Sequence, residues 1–253
     1  MSKAISMIKQ EFAEASWEER KKLMQEYAKD PRKGVQNIVE QYCKKAKALL
    51  DELERLERMH AFEDKYQTEY TAICGIDEAG RGPLAGPVVA GACILPSDVQ
   101  ILYLNDSKKL SAKKRDLLYD EICEKALAWG VGIVSPQRID EINILQATYE
   151  AMQQAIASLK IEPDLLLVDA VTIPNVGQKQ VGIVKGDAKS VSIAAASILA
   201  KVTRDRMMVE MDQVYPMYGF AQNKGYGSAD HIAALQKYGP CPIHRETFIT
   251  HFV

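Results

Sequence analysis

Gly75-Ile76-Asp77-Glu78-Ala79-Gly80-Arg81-Gly82-Pro83-Leu84-Ala85-Gly86-Pro87 is the stretch on which the fold of this chain turns. An apolar run from Thr71 to Ile76 delivers two adjacent acids into a glycine-dense turn. Gly80 and Gly82 let the backbone approach a ligand and aim N–H groups at a phosphate or hydroxyl, and Arg81 adds a cationic fork. A dinucleotide-binding loop shares the crude outline of a strand followed by glycines. Here the spacing is G-x-G-x-x-x-G with Pro83 inside it, and two carboxylates would repel a pyrophosphate, so that reading is set aside.

Two further segments carry acids at element ends. In Pro163-Asp164-Leu165-Leu166-Leu167-Val168-Asp169-Ala170 a hydrophobic strand closes on Asp169, and Lys185-Gly186-Asp187-Ala188-Lys189-Ser190 leads from a strand into a long helix. Taken alone, Asp169 can serve as a turn cap and Asp187 as a helix N-cap. Their weight comes from the set. Asp77, Glu78, Asp169 and Asp187 form a candidate acidic cluster on strand ends, and a buried cluster of that kind is tolerable only if cations neutralise it. Mg²⁺ or Mn²⁺ ions, which favour oxygen ligands, can activate a water and stabilise the leaving oxygen of a phosphoryl displacement. Lys108, Lys109, Lys185, Lys189, Lys224 and Arg81 make a candidate basic rim for backbone phosphates. Neighbouring strand residues point to opposite faces, so Asp77 and Glu78 share a site only if the strand breaks between or at them. The Ala79-Gly80 turn is the expected break.

The rest of the chain bounds this reading. Its 253 residues, 47% hydrophobic, suffice for a real core, and a net charge of −2 gives no global basic field for nucleic acid. Five cysteines, an odd number without a C-x-x-C pair, point to a reduced, cytoplasmic protein. No signal-like segment is visible, and no apolar run approaches the ~18 residues of a membrane span. Cys241-x-x-His244 lacks the further ligands of a structural zinc site.

Residues 1–68 read as an N-terminal helical extension, with Gly34 as their only glycine. Ser16-Trp17-Glu18-Glu19 is a capping box opening a helix that stops near Asp30-Pro31, and apolar spacing from Val35 to Met59 predicts one long amphipathic helix. Its mixed-sign face reads as solvated, with nucleic-acid contact by Lys44, Lys45 and Lys47 as the alternative. Residues 70–253 alternate between strands, at 71–76, 86–95, 129–134, 165–168 and 182–184, and helices, at 111–128, 142–159, 190–211 and 228–237. Ala194, Ala195, Ala196 and Ala200 give the third of these helices a thin face for a sheet. The expectation is an α/β domain with one central sheet.

The runs G-I-D-E-A-G-R-G-P-L-A-G-P-V-V-A (75–90), N-D-S-K-K-L-S (105–111), L-L-V-D-A (166–170), K-G-D-A-K-S (185–190) and A-A-S-I-L-A-K-V-T-R-D (195–205) together resemble bacterial ribonuclease HII over about residues 70–250. The resemblance implies a ribonuclease H-like fold, with a mixed five-stranded sheet flanked by helices. It also implies a metal-dependent endoribonuclease, with Mg²⁺ or Mn²⁺ as cofactor. Such an enzyme cuts the ribonucleotide-containing strand of RNA–DNA hybrids, and of duplex DNA with embedded ribonucleotides. Cleavage falls on the 5′ side of a ribonucleotide and leaves a 3′-hydroxyl and a 5′-phosphate, which removes misincorporated ribonucleotides and RNA primers.

Carried over by motif, Asp77, Glu78, Asp169 and Asp187 match the catalytic, metal-binding acids, and Gly80, Arg81 and Gly82 the element that senses the 2′-hydroxyl. Tyr226, in Asn223-Lys224-Gly225-Tyr226-Gly227, matches a tyrosine that stacks on the sugar after the junction, and Lys108 is a phosphate-contact candidate. Asn143 and Ser190 serve as readily as helix caps. The ribonuclease HIII type is disfavoured, because its fourth acid is Glu where this chain has Asp187. The chain ends at Val253 without the longer helical tail of many relatives, so part of the substrate grip is expected from the N-terminal helices. A monomer is expected. Two other readings stay open: a non-catalytic duplex-binding module, and a different ribonuclease H-like nuclease such as a junction resolvase or exonuclease.

Overall fold

The computed structural model describes residues 3–253. The chain divides after Arg55, inside its longest helix, into two compact units. The first holds α1 (Ile5–Glu14), α2 (Trp17–Tyr27) and most of α3 (Lys33–Met59). The capping box is formed: the Glu19 N–H donates to the Ser16 hydroxyl at 3.4 Å, and the Ser16 N–H donates to the Glu19 carboxylate at 2.7 Å. Ile8 and Phe12 of α1 bury against Val35 and Ile38 of α3, with the rings of Phe12 and Tyr42 4.8 Å apart. An apolar stripe on each helix thus supplies the small core of this unit.

The second unit opens with α4 (Ala61–Tyr66) and builds one sheet from β1 (Ile73–Ala79), β2 (Val88–Ile94), β3 (Ala128–Val134), β4 (Leu165–Asp169) and β5 (Lys179–Ile183). The spatial order is β3-β2-β1-β4-β5; β1, β2 and β3 run antiparallel, whereas β1, β4 and β5 are parallel. Between them lie α5 (Ala112–Lys125), α6 (Pro136–Ala157) and α7 (Val191–Val214), followed by α8 (Phe220–Asn223), α9 (Ala229–Tyr238) and α10 (Glu246–Ile249). This is the mixed five-stranded α/β arrangement expected. Cys74, Ile76, Ala90 and Ala92 pack with Ala147, Ala151 and Ala155 of α6 on one face. Ile73, Leu165 and Leu167 pack with Ile193 of α7 on the other. Alternation along β1 therefore assigns odd-numbered residues to the α7 face.

The approach of α7 is as close as backbone allows. A Cβ on Gly75 would fall 2.0 Å from the Ser192 carbonyl carbon, and one on Gly91 2.3 Å from the Ala196 oxygen. The alanines of α7 complete this thin contact, all fully buried.

β5 and α6 differ from the sequence expectation. β5 lies at Lys179–Ile183, upstream of the predicted 182–184, because its pairing with β4 begins at Leu165↔Lys179. α6 starts at Pro136 rather than near 142, capped by the Ser135 hydroxyl, and kinks at Asn143, whose φ is 66°. The Asn143 side chain accepts from the N–H groups of Leu145 (3.0 Å) and Gln146 (3.2 Å), recapping the helix beyond the kink. Among the described residues, no helix is long and apolar enough to cross a membrane.

Candidate active site

The end of the sheet where β1 and β4 finish, together with the turn before α7, is where the chain gathers its acids. Asp77 lies in β1, Asp169 is the last residue of β4, and Asp187 sits in a short 3-10 turn, Gly186–Ala188. Asp77 and Asp187 are 6% and 8% exposed. The helix N-cap is Ser190, whose hydroxyl accepts from the Ile193 N–H at 3.2 Å, so Asp187 is not spent on capping.

The expected strand break does not redirect Glu78. β1 runs unbroken through Ala79, with Asp77 paired to Gly91 and Glu78 to Ala90, so the two acids leave the strand on opposite faces. The reason lies in the register: β1 keeps its pairing with β2 to Ala79, one residue past both acids. On its other side β4 stops flanking β1 at Ile76↔Val168, which leaves the end of β1 open there. Glu78 nonetheless lies within electrostatic reach of Asp169 and Lys108, and Arg81 contacts it at 3.4 Å.

The acids perturb one another. Burial, then the charges of Glu78 and Asp169, push the Asp77 carboxyl well above the usual carboxylate range; hydrogen bonds from Ser197 and from the Glu78 N–H (2.7 Å) oppose this. Burial also raises Glu78, with Arg81 opposing, and raises Asp187, which feels Asp106 and Asp169 as well. Burial works against the Lys108 ammonium, but Asp77, Asp106 and Asp187 outweigh it and hold it above its ordinary value. Lys108 is therefore a cation of the cluster itself. Lys185 and Lys189 are exposed on either side of Asp187. Lys224 is half-buried and donates to the Ala221 carbonyl.

The donor set is entirely carboxylate oxygen, the chemistry a hard divalent cation selects. Three of the acids also have a local donor: the Glu78 N–H for Asp77 at 2.7 Å, Arg81 for Glu78 at 3.4 Å and the Gly186 N–H for Asp169 at 2.8 Å. Among the described residues, no three His, Cys, Asp or Glu side chains are already drawn together at ion-holding distance. The residues fit such an ion in type and burial.

Sequence reading passed over several residues of this region. Asp106 stands in the quoted N-D-S-K run; it accepts from the Lys108 N–H at 2.9 Å and faces Asp187. Glu63 of α4 accepts from the Ser190 hydroxyl at 2.5 Å and the Ser192 N–H at 3.0 Å, adding an acid to the start of α7. Arg204 and Arg245, both fully buried, hold the loop after β1. Arg204 donates to the carbonyls of Pro87, Ala85 and Lys224 at 2.9–3.0 Å, and Arg245 to those of Gly80, Arg81 and Gly86 at 2.6–3.0 Å. Their signal was present in T-R-D and H-R-E, but nothing local in either run shows that the side chain is buried.

These arginines separate the two glycines of the loop. Gly80 has φ +93°, and a Cβ there would lie 2.1 Å from Arg204 Nε, so the fold itself demands glycine. At Gly82 a Cβ would meet nothing within 4 Å. Tyr226 is 45% exposed, with Lys201 Nζ and the Arg204 guanidinium each 5.9 Å from its ring centre. It lines a groove of about 770 Å³ together with Lys201, Arg115, Arg206 and Lys224.

Residues 74–251 match the family described as Ribonuclease HII, and residues 4–67 match its N-terminal domain. The chain belongs to the ribonuclease HII family. It is 61% identical over 223 residues to Ribonuclease HII of Lachnoclostridium phytofermentans, covering 88% of this chain and 87% of that protein. Among solved structures, the ribonuclease H2 of Pyrococcus horikoshii is similar with a TM-score of 0.58 at 31% identity, covering 70% of this chain and 93% of the other. The ribonuclease HII of Archaeoglobus fulgidus, solved in a complex with PCNA, gives 0.60 at 28% identity, covering 71% and 94%. As a ribonuclease HII family member this chain is an endoribonuclease of the ribonuclease H class, whose enzymes depend on divalent metal and act on nucleic-acid hybrids.

Proposed function

We propose that this member of the ribonuclease HII family hydrolyses the ribonucleotide-containing strand of RNA–DNA hybrids and of duplex DNA with embedded ribonucleotides. It cuts on the 5′ side of a ribonucleotide, leaving a 3′-hydroxyl and a 5′-phosphate, and so removes misincorporated ribonucleotides and RNA primers, as a monomer in the cytoplasm. The observation that supports this most is the charge imbalance at the sheet end: burial, and then neighbouring acid charge, raises Asp77, Glu78 and Asp187, with Lys108 and Arg81 opposing.

Asp77, Glu78, Asp169 and Asp187 would hold Mg²⁺ or Mn²⁺. Bound there, such an ion lowers the pKa of a water and polarises a phosphoryl oxygen. The protein's own groups prepare the site. Ser197 and the Glu78 N–H hold the Asp77 carboxylate, and the Gly186 N–H holds Asp169. Lys108 supplies positive charge for a flanking phosphate, and Lys185, Lys189 and Lys224 extend that rim.

Gly80, Arg81 and Gly82 read the 2′-hydroxyl, the group that distinguishes RNA from DNA. Gly82 supports this, because no neighbour in the fold explains its missing side chain, whereas a closely approaching ligand does. The exposed Tyr226 ring is the stacking surface for the sugar beyond the junction.

The deciding experiment maps product ends from a duplex with one embedded ribonucleotide, beside an all-DNA control, with Mg²⁺, with Mn²⁺ and with chelator. A single metal-dependent cut 5′ to the ribonucleotide is expected. Equal cleavage of the all-DNA duplex would identify a different ribonuclease H-like nuclease, and cleavage unaffected by chelator would remove the metal role.

A further inference from the structure

Behind Tyr226 lie two buried histidines that the catalytic reading does not use. His231 of α9 is 0% exposed and His244 is 4% exposed, and their Nε2 atoms are 3.0 Å apart. His231 Nδ1 is 2.8 Å from the Tyr226 carbonyl oxygen. His244 Nδ1 is 2.9 Å from the Cys241 backbone nitrogen, with Cys241 Sγ at 3.1 Å and the Cys241 oxygen at 3.3 Å. Tyr218 and Phe220 wall the pair in, with ring centres 4.8 Å from His244 and 5.3 Å from His231 respectively.

Both ends of this chain of contacts have fixed polarity. The Tyr226 carbonyl only accepts, so His231 Nδ1 must carry a proton; in a neutral ring its Nε2 is then bare. The proton between the rings must therefore sit on His244 Nε2, which leaves His244 Nδ1 bare to accept the Cys241 N–H. The reverse set would give the Cys241 oxygen a proton at the longer distance, but would face the lone pair of His231 Nδ1 against the Tyr226 oxygen. Burial disfavours the charged form of both rings, and His244 is pushed down to about 4. One direction remains: Cys241 N–H to His244, His244 to His231, and His231 to Tyr226.

We propose that His231 and His244 form a directional hydrogen-bond relay that fixes the main chain of Tyr226, making both of them positioning residues for recognition of the ribonucleotide junction. The inference rests on the reading of Tyr226 as a substrate-facing ring. The relay joins the segment that also braces the loop after β1: the Leu84 N–H donates to Gly225 (2.8 Å), the Gly86 N–H to Ile243 (2.8 Å), and the Arg245 N–H to Leu84 (2.8 Å). Tyr226, the Gly80–Pro87 loop and the C-terminal turn are thus tied at one joint, and the histidines set the orientation of its exposed ring.

Two measurements test this on the full chain. Nitrogen-15 NMR of the imidazoles at neutral pH should show His231 protonated at Nδ1 alone and His244 at Nε2 alone. The opposite tautomers, or an imidazolium in either ring, would overturn the relay. The second is a double-mutant cycle in kcat/KM on the single-ribonucleotide duplex, using Tyr226→Ala, His231→Leu and the double variant. Loss of the hydrogen bond that holds the Tyr226 carbonyl predicts about a 3- to 10-fold drop for His231→Leu. The double variant should be no worse than Tyr226→Ala alone.

His231→Gln, whose amide donates on one side and accepts on the other, should recover activity to within about twofold of the parent on the same scale. Should His231→Leu fail to fold, His244→Phe takes its place in the cycle, keeping a ring against Tyr218 without a donor for His231. A real Tyr226→Ala loss with additive histidine losses would overturn the relay and leave the tyrosine reading standing. A silent Tyr226→Ala would remove that reading, and the positioning role with it.

Discussion

The acid end of the sheet and the loop that follows it both hold charge out of water, and they handle it in opposite ways. Arg204 and Arg245 are fully buried, yet every donor named above ends on a neutral backbone carbonyl of the loop or of Lys224. Burial pulls both guanidinium groups down, Arg245 to about 9 with Arg204 adding to the effect, and a guanidinium keeps its charge at neutral pH. That region is internally satisfied. At the acid end, the neutral donors are fewer than the carboxylate oxygens, and burial together with mutual repulsion raises Asp77, Glu78 and Asp187. Buried charge serves as scaffold where dipoles surround it, and as a demand for external cations where they do not.

The largest expected effect comes from breaking the acid end. Asp169→Asn should lower turnover by roughly 10²- to 10⁴-fold, the worth of several kcal/mol of metal-borne charge stabilisation. Its thermal unfolding should stay close to that of the parent. Near-normal cleavage by the folded variant would exclude Asp169 from the site.

Arg245→Leu should do the reverse, acting first on stability. It strands three carbonyls, at about 1 kcal/mol or more each, so roughly 3 kcal/mol should be lost in urea denaturation. An unchanged midpoint would mean that the loop does not need its guanidinium.

A smaller effect separates the regions by pH. The raised carboxyl of Asp77 means that the native state binds its proton more tightly than the unfolded chain does. The associated stability is complete below the ordinary aspartate pKa of about 4 and is lost as pH rises through the folded value. Without divalent metal, the parent should therefore lose stability relative to Asp77→Asn as pH rises from about 4. His244, depressed to about 4, acts in the opposite direction and cancels in this difference. Melts of both proteins in chelator across that range decide it, and a flat difference would contradict the raised carboxyl.

The smallest change in stability is expected for Gly82→Ala, since the new methyl meets nothing. It should shift the free energy of unfolding by no more than about 0.5 kcal/mol while raising KM on the single-ribonucleotide duplex. Unchanged kinetics would leave this glycine without a role.

Much of the architecture could be read from residue order, because strands and helices here follow local rules. Ser16 and Glu19 mark a helix start, and the Leu165–Val168 run is apolar enough to be buried on both faces. Where the reading slipped, the deciding facts were non-local. The position of β5 follows from its pairing with β4, and the true start of α6 was hidden because Asn143 reopens the helix midway. The direction of Glu78 depended on how far β2 accompanies β1. Arg204, Arg245 and Glu63 were illegible for a related reason: their partners lie more than 100 residues away for most of their hydrogen bonds. A polar side chain seen only with its sequence neighbours announces no such commitment.

The bare hydrogens of Gly75 and Gly91 act as a gauge. Because α7 rests on main chain at both points, the gap between the strand bearing Asp77 and the turn bearing Asp187 is fixed by polypeptide thickness, with no rotamer available to adjust it. A methyl group on either glycine would pry the layers apart and widen the spacing of the acids with them. Variation in metal or substrate preference within this architecture must then arise at the acids and the loops, above a floor that tolerates no thickening.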